Sequence, residues 1–272
     1  IDRSTPGRLI VKRGGETGRE VQALDVSNVL TEMVDTICRI HEAAGGTSPH
    51  RPWCDPLPAV LTRRTPNDSA FMGMCDDVSE QIQMPISFRL DRHHLIVAGT
   101  GRTNALRAMV TSLGDRRSDV DVVVIACRGS TVEHLDGLGI VVDGADREHV
   151  FRALRLCEER MRRQGTNSEN GRRLLLAVDD ADLWRTRAAH DRTESLLWES
   201  FERIVAASTE SAVTCIITAA REQAIPTSMT SRVTSAWSGI DRPGNFMLRN
   251  REEERNRTVQ FFWVSPQDCK PV

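Results

Sequence analysis

The chain has 272 residues, 39% hydrophobic and 27% charged, with a formal net charge of -2, enough for one large globular domain or one domain with an appendage. That near-neutral balance gives no general attraction to nucleic acid or to an anionic membrane, and no apolar run approaches the ~20 residues of a membrane span. The seven cysteines are scattered without a CxxC pair, which argues against a zinc ribbon or a disulfide scaffold and for reduced, mostly packed thiols in a cytoplasmic domain. Only Lys12 and Lys270 are lysines and tyrosine is absent, a bias we read as one of coding. The chain opens on Ile1 and reads as a fragment of a longer polypeptide whose missing part can hold a membrane anchor.

In chain order, residues 6–25 read as strand, Gly-rich turn at Gly14 and Gly15, and strand. A helix capped by Ser27 is expected next, with Leu30, Met33, Val34, Ile37 and Ile40 forming one apolar face. Residues 45–70, rich in Pro, Gly and polar side chains, read as a connector. From about residue 84 strands and helices alternate. Leu95–Ala98 is a short apolar run, followed by helical spacing over Leu106, Met109, Val110 and Leu113. Val120–Ala126 (VDVVVIA) and Ile140–Val142 read as strands. A helix over Asp146–Arg163 places Val150, Phe151, Leu154, Cys157 and Met161 on one side, and Gln164–Arg172 reads as a polar, disordered loop. Leu174–Val178 and Val213–Thr218 are further strands, separated by a helix over Glu194–Ala207 with Leu197, Phe201, Ile204 and Val205 inward. Strand signals at Val233–Trp237, Asn245–Leu248 and Thr258–Trp263 close the chain. Alternating elements with continuous β-branched runs predict an α/β fold, a mainly parallel sheet flanked by helices. The predicted division is residues 1–70 as an N-terminal segment and 71–272 as the main domain.

In such a sheet, ligands bind beyond the carboxyl ends of the strands. The turn after Leu95–Ala98 reads GTGRTNAL. A working P-loop is GxxxxGK[ST], in which backbone amides wrap the phosphates, the lysine reaches the β- and γ-phosphates and the hydroxyl holds Mg²⁺. Gly101, Arg102 and Thr103 align with the GK[ST] end. Five residues back from Gly101 lies Ile96, inside the strand, and with Gly99 as the first glycine the loop is three residues short. Arg102 also stands in the lysine place, where a planar guanidinium does not reproduce a compact ammonium. Gly99, Gly101, Arg102 and Thr103 remain candidates for a partial anion site at a helix N-terminus; a tight turn needing glycine only for sterics is the bland alternative.

The second signature is LLLAVDD, an apolar strand ending in Asp179 and Asp180. This is the Walker B pattern, in which the first acid helps hold Mg²⁺ and the second polarises the attacking water. Asp180, where many active enzymes carry Glu, shortens the catalytic reach. The metal candidates, relevant only with nucleotide, are Thr103 and Asp179. Thr218 ends the strand VTCIIT where RecA-like folds carry a phosphate-sensing polar residue. Arg221 and Arg232 are weaker candidates as arginine fingers, and His134, Asp136 and His149 form no constellation.

The stretch AFMGMCDDVSEQIQMPISFRLDRHHLIVAGTGRTNALRAM resembles the opening of an FtsK/SpoIIIE-type ATPase domain, with an LGL-DD-like segment, a strand, the P-loop and an N-x-L-R helix start. HLDGLGIVVDGADREHVFRALRLCEERMRR and RRLLLAVDDADLW resemble the following segment and Walker B of that family. PGRLIVKRGGETGREVQAL resembles the tail of a preceding domain, joined by the proline-rich RPWCDPLP. The resemblance spans residues 6–265. It departs from the family in the short loop, in Arg102, and at Cys127, Arg128 and Gly129, where a D-x-G-like segment is expected.

Such tandem arrays are typical of actinobacterial members, including the EccC-like ATPases of type VII secretion. The resemblance implies a RecA-like P-loop fold. It also implies a degenerate, non-hydrolysing domain of a translocation motor, acting in regulation or in recognition of secreted substrate. An active ATPase using Mg²⁺ and ATP and a DNA translocase module are the alternatives; no bound cofactor and no DNA contact are expected. Implied partners are other ATPase domains of the same polypeptide and the C-terminal signal segment of a small helical secreted substrate. The implied parent is a membrane-anchored hexamer, with this domain cytoplasmic and not itself touching the membrane.

Overall fold

The computed structural model describes residues 8–11, 18–22, 28–46, 54–63, 70–78, 80–113, 119–164, 172–207, 212–240, 244–250 and 256–265. The chain divides by its internal contacts into two units, Ile1–Pro52 and Trp53–Val272. In the first, β1 (Arg8–Val11) pairs antiparallel with β2 (Arg19–Gln22). The turn expected at Gly14 and Gly15 and the cap expected at Ser27 lie outside the described residues. Helix α1 (Leu30–Ala43) begins after Val29 with no side-chain cap, and none of its residues is buried. Its apolar stripe of Leu30, Met33, Val34, Ile37 and Ile40 is solvent-exposed.

The second unit begins with Leu57 buried and Leu61 bridging to Phe262. Its strands are β3 (Gly73–Asp77), β4 (Ile82–Ile86), β5 (His94–Val97), β6 (Val120–Ala126), β7 (Ile140–Asp143), β8 (Arg173–Asp179), β9 (Val213–Ala219), β10 (Ser235–Gly239), β11 (Asn245–Asn250) and β12 (Asn256–Phe261). Its helices are α2 (Arg102–Thr111), α3 (Val132–Leu135), α4 (Arg147–Gln164), α5 (Ala181–Ala188), α6 (Arg192–Ala206) and α7 (Thr227–Thr230). Among the described residues these strands form one sheet in the order β4-β3-β12-β11-β10-β5-β9-β8-β6-β7.

The segment from β10 to β7 is parallel throughout, as the alternating βα pattern predicts. From β10 to β4 every pairing is antiparallel, so the sheet is mixed. The β3–β4 hairpin begins upstream of residue 84, where the alternation was expected to begin. Burial alternates along β3 but not along β4, and Pro85 sits on β4, the edge strand, where a missing backbone donor is tolerated. The polar loop expected over Gln164–Arg172 falls largely on residues outside the described set.

Period-two geometry sends alternate side chains to opposite faces. Along β6, Val122, Val124 and Ala126 join the core under α2, while Val123 and Ile125 join the core under α4, α5 and α6. Leu175 and Ala177 of β8 face α2, as does Ile216 of β9, while Leu174, Leu176, Val178, Cys215 and Ile217 face the other layer. On that layer Trp184, Trp198 and Phe201 meet with ring centroids 5.5 Å apart. Val150, Leu154 and Cys157 of α4 are buried as the spacing predicts, but Phe151 is 53% exposed, because its position turns just past the sheet-facing stripe. Helix α6 is capped by Asp191, whose carboxylate accepts from the amides of Thr193 and Glu194.

Asn104 explains part of the N-x-L-R helix start. Its side-chain amide donates to the Phe262 carbonyl at 2.9 Å and accepts from the Val264 amide at 3.0 Å, tying α2 to the strand end of the same unit. Arg107 lies over the Trp263 ring at 5.9 Å. Asn104→Ala strips two buried backbone groups of these bonds and is expected to lower unfolding stability by about 2–4 kcal/mol. The urea midpoint reads this directly; an unchanged midpoint would show that the strand end is held by packing alone.

Candidate functional site

The parity of the strands builds the site. Asp179 continues the Leu175–Ala177 face of β8 and Thr218 the Ile216 face of β9, so both side chains point toward α2 at the carboxyl end of the sheet. The turn leaving β5 delivers α2 to the same place. Gly101 is the residue before α2 and adopts φ +81°, a left-handed conformation that favours glycine. Gly99 has open space where a Cβ would stand and no positive φ, so sterics require glycine at Gly101 and not at Gly99.

The structure brings Gly99, Gly101, Arg102, Thr103, Asp179, Asp180 and Thr218 together. Thr218 Oγ1 donates to Asp179 Oδ1 at 2.7 Å and accepts from the Asp180 amide at 2.8 Å. Thr103 Oγ1 donates to Asp179 Oδ2 at 3.0 Å. Arg102 folds back into its own turn. Its Nη1 donates to the carbonyls of Ala98 at 2.7 Å and Gly99 at 2.8 Å, while Nε donates to Asp180 Oδ1 at 2.5 Å. Nη2 of the same guanidinium pairs with that carboxylate. Asp180 adopts φ +59°, uncommon for a non-glycine residue, which aims its carboxylate between two arginines. The second is Arg128, whose Nε donates to Asp180 Oδ2 at 2.9 Å from just beyond β6.

Asp179 is fully buried and Asp180 nearly so. Burial pushes the Asp179 carboxyl above its ordinary range and the charge of Asp180 adds to this, against the hydroxyl bonds of Thr218 and Thr103 and the charge of Arg102. The bond to Asp180 holds the Arg128 guanidinium more firmly protonated. Burial raises the Cys127 thiol well above its usual range, so it is no nucleophile. Arg187 fixes the 127–129 turn by donating to the carbonyls of Cys127 at 3.1 Å and Gly144 at 2.9 Å.

The donor set can be tested against Mg²⁺ and a nucleoside triphosphate. A phosphate needs backbone amides and a cation pointing into the turn. Here the guanidinium occupies the turn and is spent on carbonyls 98 and 99 and on Asp180. The Mg²⁺ candidates Thr103 and Asp179 are bonded to each other, and the second Asp179 oxygen is taken by Thr218. In this arrangement the candidate phosphate and Mg²⁺ ligands are engaged with one another.

Arg128 was met in the sequence only as a departure from the family pattern; a charge placed at the carboxyl end of a parallel strand was the available signal. Arg221 and Arg232 are exposed and take no part in the site's bonds. His134 and Asp136 are likewise exposed, and His149 pairs with Asp146 at 2.7 Å. Among the described residues no group of three or more His, Cys, Asp or Glu is placed to hold a metal ion. Cys75, Cys127, Cys157 and Cys215 are buried, Cys54 is half-buried, Cys38 is exposed, and Cys269 lies outside the described residues. No helix among the described residues is long and apolar enough to cross a membrane.

No protein-family model matches the chain, and no curated protein matches it in sequence. Solved structures do match. EssC ATPases 2 and 3 from Geobacillus thermodenitrificans are 14% identical with a TM-score of 0.59, covering 78% of this chain and 48% of that one. The cytoplasmic domain of the Thermomonospora curvata type VII secretion ATPase EccC is 18% identical with a TM-score of 0.58, covering 97% and 35%. Thermomonospora curvata EccC ATPases 2 and 3, in complex with a signal sequence peptide, are 17% identical with a TM-score of 0.58, covering 97% and 54%. The chain thus spans half or less of the first two of these structures and about half of the third. The likeness is one of fold, and it agrees with the resemblance carried by GTGRTNAL and LLLAVDD: the chain has the RecA-like α/β P-loop fold and resembles the EccC-like ATPase domains of the FtsK/SpoIIIE type.

Proposed function

We propose that this chain is an ATPase-fold module of a secretion-type translocation motor whose phosphate site is closed by its own arginine, and that it serves recognition or regulation of secreted substrate rather than hydrolysis. The observation that carries this reading is the Arg102 guanidinium, bonded within the turn to the carbonyls of Ala98 and Gly99 and to Asp180. The likeness to EssC and EccC ATPase domains supports the motor context, and the EccC structure holding a signal sequence peptide supports a peptide partner. In this reading Asp179 and Asp180 are a vestigial Walker B. The partners are neighbouring ATPase domains of a hexameric, membrane-anchored parent and the C-terminal signal segment of a small helical substrate.

A second reading, an ATP-binding and hydrolysing motor domain, draws on the Thr103–Asp179–Thr218 chain, which joins the two nucleotide signatures. A DNA translocase has less support, since the net charge of -2 offers no electrostatic footprint. The test is Mg²⁺–ATP added at millimolar concentration to the 272-residue chain. The expected result is no thermal shift and no phosphate release above the level of the Asp179→Ala variant. Mg²⁺-dependent turnover abolished by Asp179→Ala would overturn the proposal in favour of the second reading.

A further inference from the structure

Helices α4 and α6 lie side by side and run in the same direction. Arg147 reaches Asp191 and Glu194 near their starts, and Ser200 donates to Glu158 at 2.6 Å further along. They cover the face of the sheet opposite α2, away from the phosphate turn. Each turns a matching stripe to the seam between them. Phe151, Arg155, Glu158 and Arg162 of α4 follow the same spacing as Leu196, Ser200, Arg203 and Ala207 at the end of α6, successive members lying one helical turn apart. The seam is apolar at one end, where Phe151 and Leu196 are both more than half exposed. At the other end a hollow of about 490 Å³ is lined by Arg155, Glu158, Arg162 and Arg203 over Met161 and Ile204.

The arginines of that hollow are short of carboxylate. Arg155 and Arg203 share Glu158 at 3.5 and 3.8 Å, and one oxygen of that carboxylate already accepts from Ser200. Arg162 shares Glu159 with Arg163, both at 2.9 Å. Charge-assisted bonds run at ~2.7–2.9 Å, so the guanidiniums of Arg155 and Arg203 are held loosely. Elsewhere on α4 the arginines are met closely: Arg147 by Asp191 at 2.6 Å, Arg152 by Glu148 at 2.5 Å and Arg160 by Asp121 at 2.6 Å. Among the described residues, the uncompensated positive charge of this pair of helices gathers at one end of the seam. Arginines in a last turn also offset the helix dipole, but Arg155 stands in the middle of α4 and shares its acid with the neighbouring helix, which that role does not require.

We infer that the α4–α6 seam docks an acidic amphipathic helix of a partner protein. An apolar side chain of that helix sits between Phe151 and Leu196, and carboxylates one and two turns on reach Arg155, Arg162 and Arg203. Helices are recognised by laying one face along such a groove. From Phe151 to Arg162 the seam is about 16 Å long at the helical rise, roughly three turns and more than a compact anion spans. Its apolar end offers nothing to a nucleic-acid backbone, which asks for positive charge along the whole track. Carboxylates supply the missing charge, and guanidinium takes them two bonds at a time. The inference goes beyond the recognition reading and does not depend on whether the phosphate turn is closed.

The test uses the full 272-residue chain and fluorescence anisotropy with a lactam-stapled, alanine-based helix that carries one leucine and, one and two turns on, two glutamates. The controls are the same helix with lysines for glutamates, the same helix with its glutamates on the far side, and a labelled DNA duplex. The acidic helix is expected to bind, and each control to bind about tenfold more weakly or worse. The double variant Arg155→Gln, Arg203→Gln and the single variant Leu196→Ser are each expected to weaken the acidic helix about tenfold. Arg152→Gln, which removes an arginine already paired with Glu148, is expected to leave it unchanged. Glu158→Gln keeps an acceptor for Ser200 and removes the competing charge, so it is expected to tighten the complex severalfold. No binding, equal losses in Arg152→Gln and the double variant, equal binding of the helix with its glutamates on the far side, a weaker complex in Glu158→Gln, or tighter binding of the duplex would each overturn the inference. Mg²⁺–ATP turnover by the same preparation would overturn the recognition reading alone.

Discussion

Asp180→Ala is expected to be the most damaging single change at the site, lowering unfolding stability by about 3–5 kcal/mol. The carboxylate is 1% exposed and is shared by Arg102, itself 9% exposed, and Arg128. Removing it leaves the Arg102 guanidinium buried against two carbonyls with no carboxylate bonded to it, and desolvation of an unpaired ion is the costly half of a buried pair. Alanine also tolerates the φ of +59° less well than Asp, which adds to the loss. Arg128→Ala removes the other partner from a side chain that is half in water, so its cost is expected to stay below about 1 kcal/mol. Urea denaturation of the two variants provides the contrast. Equal, small losses would show that Arg102 reaches solvent when its partner is gone, and the closed turn would then not be held by Asp180.

The same pair of residues shows how far the sequence could be read. Arg102 in the lysine place was visible from spacing alone, and so were Asp179 and Asp180, because apolar strands and the loops after them are local patterns. That Arg102 turns back onto carbonyls 98 and 99 was not visible. It depends on a rotamer and on an aspartate 78 positions away. Thr218 was found by its place at the end of a β-branched run, and period two then puts it on the α2 face with Asp179. The parallel half of the sheet was legible for the same reason: VDVVVIA and LLLAV are buried on both faces and read as strands unaided. The β3–β4 hairpin was hidden because its edge strand β4 is half solvated and the pair mixes Asp, Gln and Pro with its apolar residues, which imitates a loop. Residues 59–61, 101, 244 and 260–263 carry no shared signal in the sequence, since they meet only in the fold.

Acid should destabilise the second unit in a window that one histidine defines. His94 is 2% exposed at the start of β5 and packs against Phe88 with ring centroids 4.9 Å apart. Its Nε2 lies 2.7 Å from the Arg89 carbonyl, so that nitrogen carries the proton and donates it, while Nδ1 is buried without a partner. Burial is the chief cause that lowers its pKa to about 4, with His93 and Arg92 adding charge repulsion against the Arg89 carbonyl. In the unfolded chain the imidazole returns to about 6.5. Between these values the unfolded state binds a proton that the folded state refuses, so stability rises with pH through the window and falls as acid is added. The loss from His94 starts near pH 6.5 and levels off near pH 4, at roughly 3 kcal/mol in all. His93, also lowered by burial, acts in the same direction. Asp179, whose pKa is raised, acts oppositely, because its folded form holds a proton above the usual carboxylate range. Unfolding free energies measured from pH 7.5 to 4.5 should therefore slope downward. His94→Phe should remove about one proton from that slope, close to 1.4 kcal/mol per pH unit, even though it forfeits the bond to Arg89. A variant with the parent's slope and a lower intercept would assign the acid sensitivity to other groups and leave His94 a purely structural residue.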